Sequence, residues 1–345
     1  MHDTLSVIAI FLRIVSEAKP KFCGWACFLL FRRFRTGKVP FMRKSNGAIW
    51  PLATLCCLLW GSAATAIKIG FGCFELTNAF IPGVLLFAGL RFFGAGLVIL
   101  LVYSLHSHGL MVPSTPRGWR DAALLGAVQT FLQYAFNFVG VASASGIVAS
   151  VMNGTGNLFA ILLSCTLFRQ EKMTLRKALG TALGLGGIVM MNLGASAAGT
   201  FALLGAVLLL FASLSGGVGT CLSKGFSRRE SPVVLAAWQQ IFGGAMLLAV
   251  ALLSGGSLPR VTPAGVGVLL YLVGVSAVTY SLWNGLLKKH PVSSVAVFGF
   301  LIPLFGVVFS ALLLGEGEQA LRWQTWAALA LVCAGIVLVT REKKA

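Results

Sequence analysis

SASGIVASVMNGTGNLFAILLSCTLF (Ser143–Phe168) leads into RQEKMTLRK (Arg169–Lys177) and then ALGTALGLGGIVMMNL (Ala178–Leu193). The first arm has 26 residues and no charge, the turn is strongly charged, and the second arm is Gly-rich and apolar. A bilayer core of about 30 Å takes about 20 apolar helical residues, so the stretch reads as two membrane-spanning helices joined by a short turn. The pattern recurs near the C-terminus. PVSSVAVFGFLIPLFGVVFSALLL (Pro291–Leu314) is followed by GEGEQALR and then WQTWAALALVCAGIVLV (Trp323–Val339). Leu167-Phe168-Arg169-Gln170-Glu171 falls against Leu312-Leu313-Leu314-Gly315-Glu316, and Gly187-Ile188-Val189 against Gly335-Ile336-Val337. One hairpin used twice suggests a chain built from two halves.

Composition agrees with a membrane chain. Of 345 residues 57% are hydrophobic and 10% charged, against about 25% charged in soluble domains. The formal net charge of +18 does not point to nucleic acid, because the basic residues sit at the ends of apolar runs and form no patch or aromatic-interleaved stripe. The eight cysteines show no CxxC pair, which argues against a zinc site and a disulfide framework, and they read as small apolar filler. No metal or cofactor is expected.

Residues 1–48 are basic, and their two apolar runs, Leu5–Leu12 and Phe22–Phe31, are too short to span. Met42 opens MRKSNGAIWPLATL, as polytopic proteins often begin. Residues 1–41 therefore read either as sequence upstream of the working start or as an organelle transit peptide, being Arg-rich and acid-poor though not Ser-rich. Beyond Lys44 the apolar runs give ten spans: Ile49–Gly70, Gly83–Leu105, Ala122–Val141, Ser143–Phe168, Ala178–Leu193, Phe201–Ser223, Pro232–Leu253, Ala264–Leu287, Val292–Leu314 and Trp323–Val339. With this count, 23 of the 27 Lys and Arg residues fall on the side of the N-terminus and two on the other. Positive residues concentrate inside, so a multi-pass protein of the cell membrane (a bacterial inner membrane) with both termini cytoplasmic is expected.

Spans one to five match spans six to ten in order. Lys68-Ile69-Gly70-Phe71 parallels Lys224-Gly225-Phe226, and Ala88–Gly94 parallels Ala237–Gly243. Gln129, Gln133 and Asn137 stand at the same interval as Ser276, Tyr280 and Asn284. Five spans per half is odd, so the second half enters the membrane from the opposite side. The expected fold is all-α, with ten transmembrane helices as two inverted five-helix repeats, residues 49–194 and 195–341, after the basic segment 1–48.

WGSAATAIKIGF at Trp60–Phe71, FAGLRFFGAGL at Phe87–Leu97 and the fourth span ending in a basic and acidic turn at Arg169–Lys172 resemble the EamA family of the drug/metabolite transporter superfamily. The resemblance covers about Ala48 to Glu342. It implies ten helices, two inverted repeats, a central cavity and export of small metabolites.

Polar residues inside spans face a cavity or another helix. Gln129, Gln133 and Asn137 recur at i, i+4, i+8 and share one helix face, with a drift of about 40° per step. Ser276, Tyr280 and Asn284 do the same, and Asn153 and Asn157 share a face of the fourth span. Amides both donate and accept, which suits neutral or zwitterionic solutes such as amino acids and nucleosides. The alternative is hydrogen-bonding glue between helices. Trp283 offers a ring wall or an interface anchor. Arg91 either holds an anionic group of the substrate or bonds to carbonyls of the first helix. Lys68 reads as a snorkelling residue near the outer interface. Gly216, Gly217 and Gly219, and Gly180 with Gly184, admit close helix contact, and Pro303 kinks its helix.

The expected function is therefore alternating-access transport of small polar metabolites. The partners are a small-molecule substrate and the lipid bilayer, without nucleic acid, and a homodimer is allowed. The rival classes are an intramembrane enzyme and a non-transporting or lipid-scrambling protein. Against an enzyme stands the placement of every histidine and every Asp and Glu outside the spans, which leaves no partner to activate Ser145, Ser150 or Ser164.

Overall fold

Helix boundaries fall where the chain supplies a cap, a proline or a charged turn. A computed structural model describes residues 49–107, 109, 111–143, 146–192, 203–314 and 323–340, which fold into helices with no strand among them. Helix α1 is Ile49–Phe74 and α2 is Ile81–Ser107. α3 (Pro116–Leu125) continues through a π-helical stretch, Gly126–Leu132, into α4 (Gln133–Ser143). α5 is Gly146–Cys165 and α6 Leu175–Asn192. α7 (Leu203–Phe226), α8 (Pro232–Leu253) and α9 (Pro263–Lys289) follow. α10 (Val292–Ala296), a 3-10 turn (Val297–Phe300) and α11 (Leu301–Leu314) form a second interrupted rod, and α12 is Trp323–Thr340.

Among the described residues, eight stretches are long and apolar enough to cross a membrane: α1, α2, the α3–α4 rod, α7, α8, α9, the α10–α11 rod and α12. Their outer faces suit lipid and would be liabilities in water, with Leu101 61% and Leu253 89% exposed. Within each span the helix satisfies its own backbone, as hydrocarbon surroundings require. The basic segment 1–48 with its two readings, the junction between the expected halves, the turn 315–322 and the last residues lie outside the described set.

Two starts share one device. Thr115 precedes Pro116 and its hydroxyl accepts the N–H of Gly118 at 3.1 Å; Thr262 precedes Pro263 and accepts the N–H of Gly265 at 3.0 Å. Threonine satisfies an orphan donor, and proline lacks the N–H that would be orphaned next. This cap starts the third span at Pro116, earlier than the expected Ala122. Helix α5, the expected fourth span Ser143–Phe168, ends earlier, at Cys165. Beyond it the chain curls, with the Gln170 N–H donating to the Ser164 carbonyl at 2.8 Å and Arg169 in the left-handed region at φ 47°.

α2 lies along α8, α6 along α12, α5 along α7 and α11 along α1. α9 packs on α1 and α2, while α4 packs on α7 and the π stretch on α8. Small residues bring these backbones together. A Cβ on Gly180 would stand 2.8 Å from the Gly335 carbonyl, and Gly184 receives the Phe300 ring.

Candidate substrate cavity

The α3–α4 rod shapes the site. On an α-helix each i, i+4 step gains about 40°, and the wider π turn at Gly126–Leu132 takes that gain back. Gln129, Gln133 and Asn137 therefore stay on one wall of a cavity of about 350 Å³. α9 has no such insertion, and its stripe separates. Tyr280 lines the cavity, whereas Ser276 and Asn284 are fully buried in helix packing. Asn153 and Asn157 on α5, Trp283 on α9 and Arg91 on α2 also line it. Of the nine expected binding residues, Asn284 alone is not part of the lining.

Asn284 instead belongs to a chain of amides. The Ser223 hydroxyl donates to Asn284 Oδ1 at 2.8 Å, Asn284 Nδ2 lies 3.5 Å from Gln239 Oε1, and Gln239 Nε2 donates to Gln129 Oε1 at 3.0 Å. Three helices and the π stretch are joined this way. Its position fits the glue reading for Asn284. At the other end of the amide wall, Asn137 Nδ2 donates to Asn153 Oδ1.

The apolar walls were less legible. Trp60 on α1 stands edge-on to Trp283 at 4.9 Å between ring centroids and to Tyr280 at 6.0 Å. Tyr134 lines the cavity, and its hydroxyl is 3.4 Å from that of Tyr280. The signal for Tyr134 was its place beside Gln133, but its partner lies on another helix. Two glycines make room for the polar side chains. A Cβ on Gly219 would meet Gln129 Cβ at 2.5 Å, and one on Gly299 would overlap the Asn157 amide. Pro303 acts upstream of itself: it has no N–H for the carbonyl of Gly299, and the 3-10 turn falls at Val297–Phe300.

Arg91 is 3% exposed, and its Nε donates to the Ser276 hydroxyl at 2.8 Å. The expected structural alternative, bonds to first-helix carbonyls, is not what holds it. Its Cζ also lies 4.9 Å from the Phe92 ring centroid. Lys68 is exposed. Cys56, Cys57 and Cys221 are buried free thiols, and Cys57 Sγ donates to the Phe298 carbonyl at 3.2 Å.

Toward the helix ends at Pro116, Phe226, Lys289 and Val292, hydrogen bonds tie the helices together. Beyond the amide chain, Lys224 Nζ donates to the His290 carbonyl at 2.8 Å, and Gln170 Nε2 to the Cys221 carbonyl at 2.8 Å. Glu171, in the turn between α5 and α6, adds to these ties. Its carboxylate accepts from the Ser164 hydroxyl at 2.9 Å, the Lys177 ammonium at 2.7 Å, the Ser293 N–H at 2.8 Å and the Ser293 hydroxyl. Burial pushes this carboxyl up, but the hydrogen bonds from Lys177 and Ser293 outweigh it and hold it below the ordinary glutamate value. Sequence reading saw only a charged turn here. On the cavity wall, Ala64 and Asn153 are exposed.

Comparison with known proteins gives concordant results. The EamA-like transporter family matches twice, over residues 48–193 and 203–341. An uncharacterized transporter of Synechocystis is 31% identical over 77% of this chain and 82% of its own length. The uncharacterized inner membrane transporter YedA of Escherichia coli K12 is 28% identical over 83% of this chain and 88% of its own. A crystal structure shares the fold with a TM-score of 0.70 at 19% identity, covering 85% of this chain and 96% of that one.

Proposed function

Because this chain belongs to the EamA-like transporter family, we propose that it exports small polar metabolites, such as amino acids or nucleosides, by alternating access at this cavity. It is a multi-pass membrane transporter. In the proposed topology ten helices form two inverted repeats, and both termini are cytoplasmic.

The repeat has three kinds of support. α5 and α6 complete the first half as its fourth and fifth spans. Counting spans so, a shift of five turns the α11–α1 pairing into α5–α7, and α9–α1 into α4–α7. The same shift returns α2–α8 and α6–α12 to themselves, as a two-fold axis between halves would. The caps Thr115-Pro116-x-Gly118 and Thr262-Pro263-x-Gly265 keep the interval that relates Gln133 to Tyr280. Gly70-Phe71-x-x-x-Glu75 and Gly225-Phe226-x-x-x-Glu230 form a further pair. Each of these acids ties the end of the first helix of one half to the start of a helix in the other. Glu230 accepts the Ser114 N–H at 2.8 Å ahead of α3, and Glu75 pairs with Arg260 at 2.9 Å ahead of α9.

The observation that carries the transport reading is a cavity lined by amides and aromatic rings between helices of both halves, with hydrogen bonds tying the helices beyond one end of it. Inverted-repeat transporters bind at such a place and rock one half against the other. The basic residues on the tied side support reading it as cytoplasmic, and on that reading the cavity faces outward. The test is purified protein in liposomes with labelled amino acids and nucleosides. Saturable flux, weakened by Gln133→Leu, is expected. Absence of any saturable flux, together with protein-dependent lipid flipping, would replace this reading with scrambling.

A further inference from the structure

Among the described residues lining the cavity, Arg91 is the one charged residue, with no Asp, Glu, Lys or His beside it. A guanidinium carries five N–H donors. Nε is committed to the Ser276 hydroxyl. The other four donors, on the two Nη atoms, have no hydrogen-bond partner among the described residues, and Arg91 forms no ion pair there. A buried charge is tolerated when paired, and an intramembrane one marks a ligand path by default. Ser276 is fully buried and fixes the Nε edge, so the remaining donors form a pre-oriented fork.

We propose that the cavity selects an organic monoanion, whose carboxylate pairs with the Nη edge of Arg91 and whose planar apolar body lies against Trp60, Trp283, Tyr134 and Tyr280. This rests on the transport reading and puts an organic acid in place of its amino-acid and nucleoside examples. The carboxylate follows from fork geometry, since two parallel N–H···O bonds match its two oxygens. Single charge follows from the lone cation. A dianionic phosphate would bring surplus charge to membrane depth with no second cation to meet it. A zwitterion is the weaker fit, because its ammonium would find only neutral acceptors, such as the amides of Asn153 and Asn157 and the hydroxyls of Ser213 and Thr220, and ring faces. The body follows from the walls, where Trp60 stands edge-on to Trp283 and Tyr280, and Phe92 backs Tyr134 at 4.4 Å between centroids. The amides then read the substrate's remaining polar atoms.

The test is calorimetric binding to the purified full chain with four probes of one size: 3-phenylpropionate, 3-phenylpropionamide, phenylalanine and phenyl phosphate. The expected result is at least tenfold tighter binding of 3-phenylpropionate than of the other three. Arg91→Gln should remove that preference and Arg91→Lys should keep part of it, since the charge stays but the fork is lost. The wild-type comparison of acid with amide decides the matter even where Arg91→Gln does not fold. Equal binding of acid and amide, failure of both to bind, or a preference that survives Arg91→Gln overturns the inference. Flux in liposomes separates the two readings. Movement of neutral solutes without carboxylates sinks only the monoanion, whereas tight carboxylate binding without flux of any solute sinks only transport.

Discussion

Replacing Glu171 by Gln tests the tied end of the cavity, because one carboxylate there serves four donors from three segments. The change keeps the shape but removes the charge and turns one oxygen into a donor. Ser164, Lys177 or Ser293 then faces an N–H instead of an acceptor. Lys177 keeps only the Lys172 carbonyl at 2.8 Å, and the pair it loses has side chains only 10% and 8% exposed. Removing one partner of a buried ion pair costs about 3–5 kcal/mol. The turn lies near the water boundary, so we take the lower figure, about 3 kcal/mol, equivalent to a fall on the order of 5 °C in melting temperature for a chain of this length. The folded-state pKa of Glu171 is lowered, so its stabilisation is complete above the unfolded value of about 4.3 and is lost as pH falls through the folded one. The gap between parent and Glu171→Gln should be full at neutral pH and close in acid. Melting in detergent across pH measures it. A second readout is labelling of the buried Cys221 thiol from the cytoplasmic side, which should rise as the turn releases α7. A variant melting within 1 °C of the parent at neutral pH, with Cys221 still protected, would refute the reasoning.

Gln133→Leu should leave melting within about 0.5 kcal/mol but weaken solute affinity, whereas Asn284→Leu should destabilise by about 1–2 kcal/mol and leave affinity unchanged; both are read on the same preparations. Reporter fusions after Lys172, Arg229 and Lys289 should be cytoplasmic, and those after Thr77 and Gly256 external; a cytoplasmic signal at Gly256 would break the ten-span count. Gly219→Ala should depress flux and stability together, because its methyl would meet Gln129 Cβ at 2.5 Å, and an active, stable variant would show that α7 can yield there.

Much of the helical plan was legible because burial in lipid leaves a coarse signal, namely long apolar runs stopped by charge. The Thr115 cap was missed although threonine-proline has a local mechanism, so the third span was expected at Ala122 where its helix begins at Pro116. Most of the candidate site was visible as well, because an amide within an apolar run has few reasons to be there. What escaped depends on partners far along the chain. Gln133 and Asn284 look alike in sequence, yet Ser223 and Gln239, on two other helices, hydrogen-bond Asn284 away from the cavity lining. Nothing in GAVQTFL announces a π turn, although that turn keeps the Gln129 stripe on one wall. Glu171 read as one charge in a basic turn because Ser293, which makes it a hub, lies 122 positions away.

The ties between halves also bear on how the protein is made. When α3 is synthesised, the carboxylate that receives the Ser114 N–H is still 116 residues from being made, a delay on the order of 10 s at ~5–20 residues per second. Glu171 waits in the same way for Ser293. The N-terminal half must therefore enter the bilayer as separately inserted helices with an open turn at each end, and lock only when its counterpart arrives. A gene cut between the halves should yield working protein when both pieces are made in one membrane, and neither piece should hold a stable shape alone.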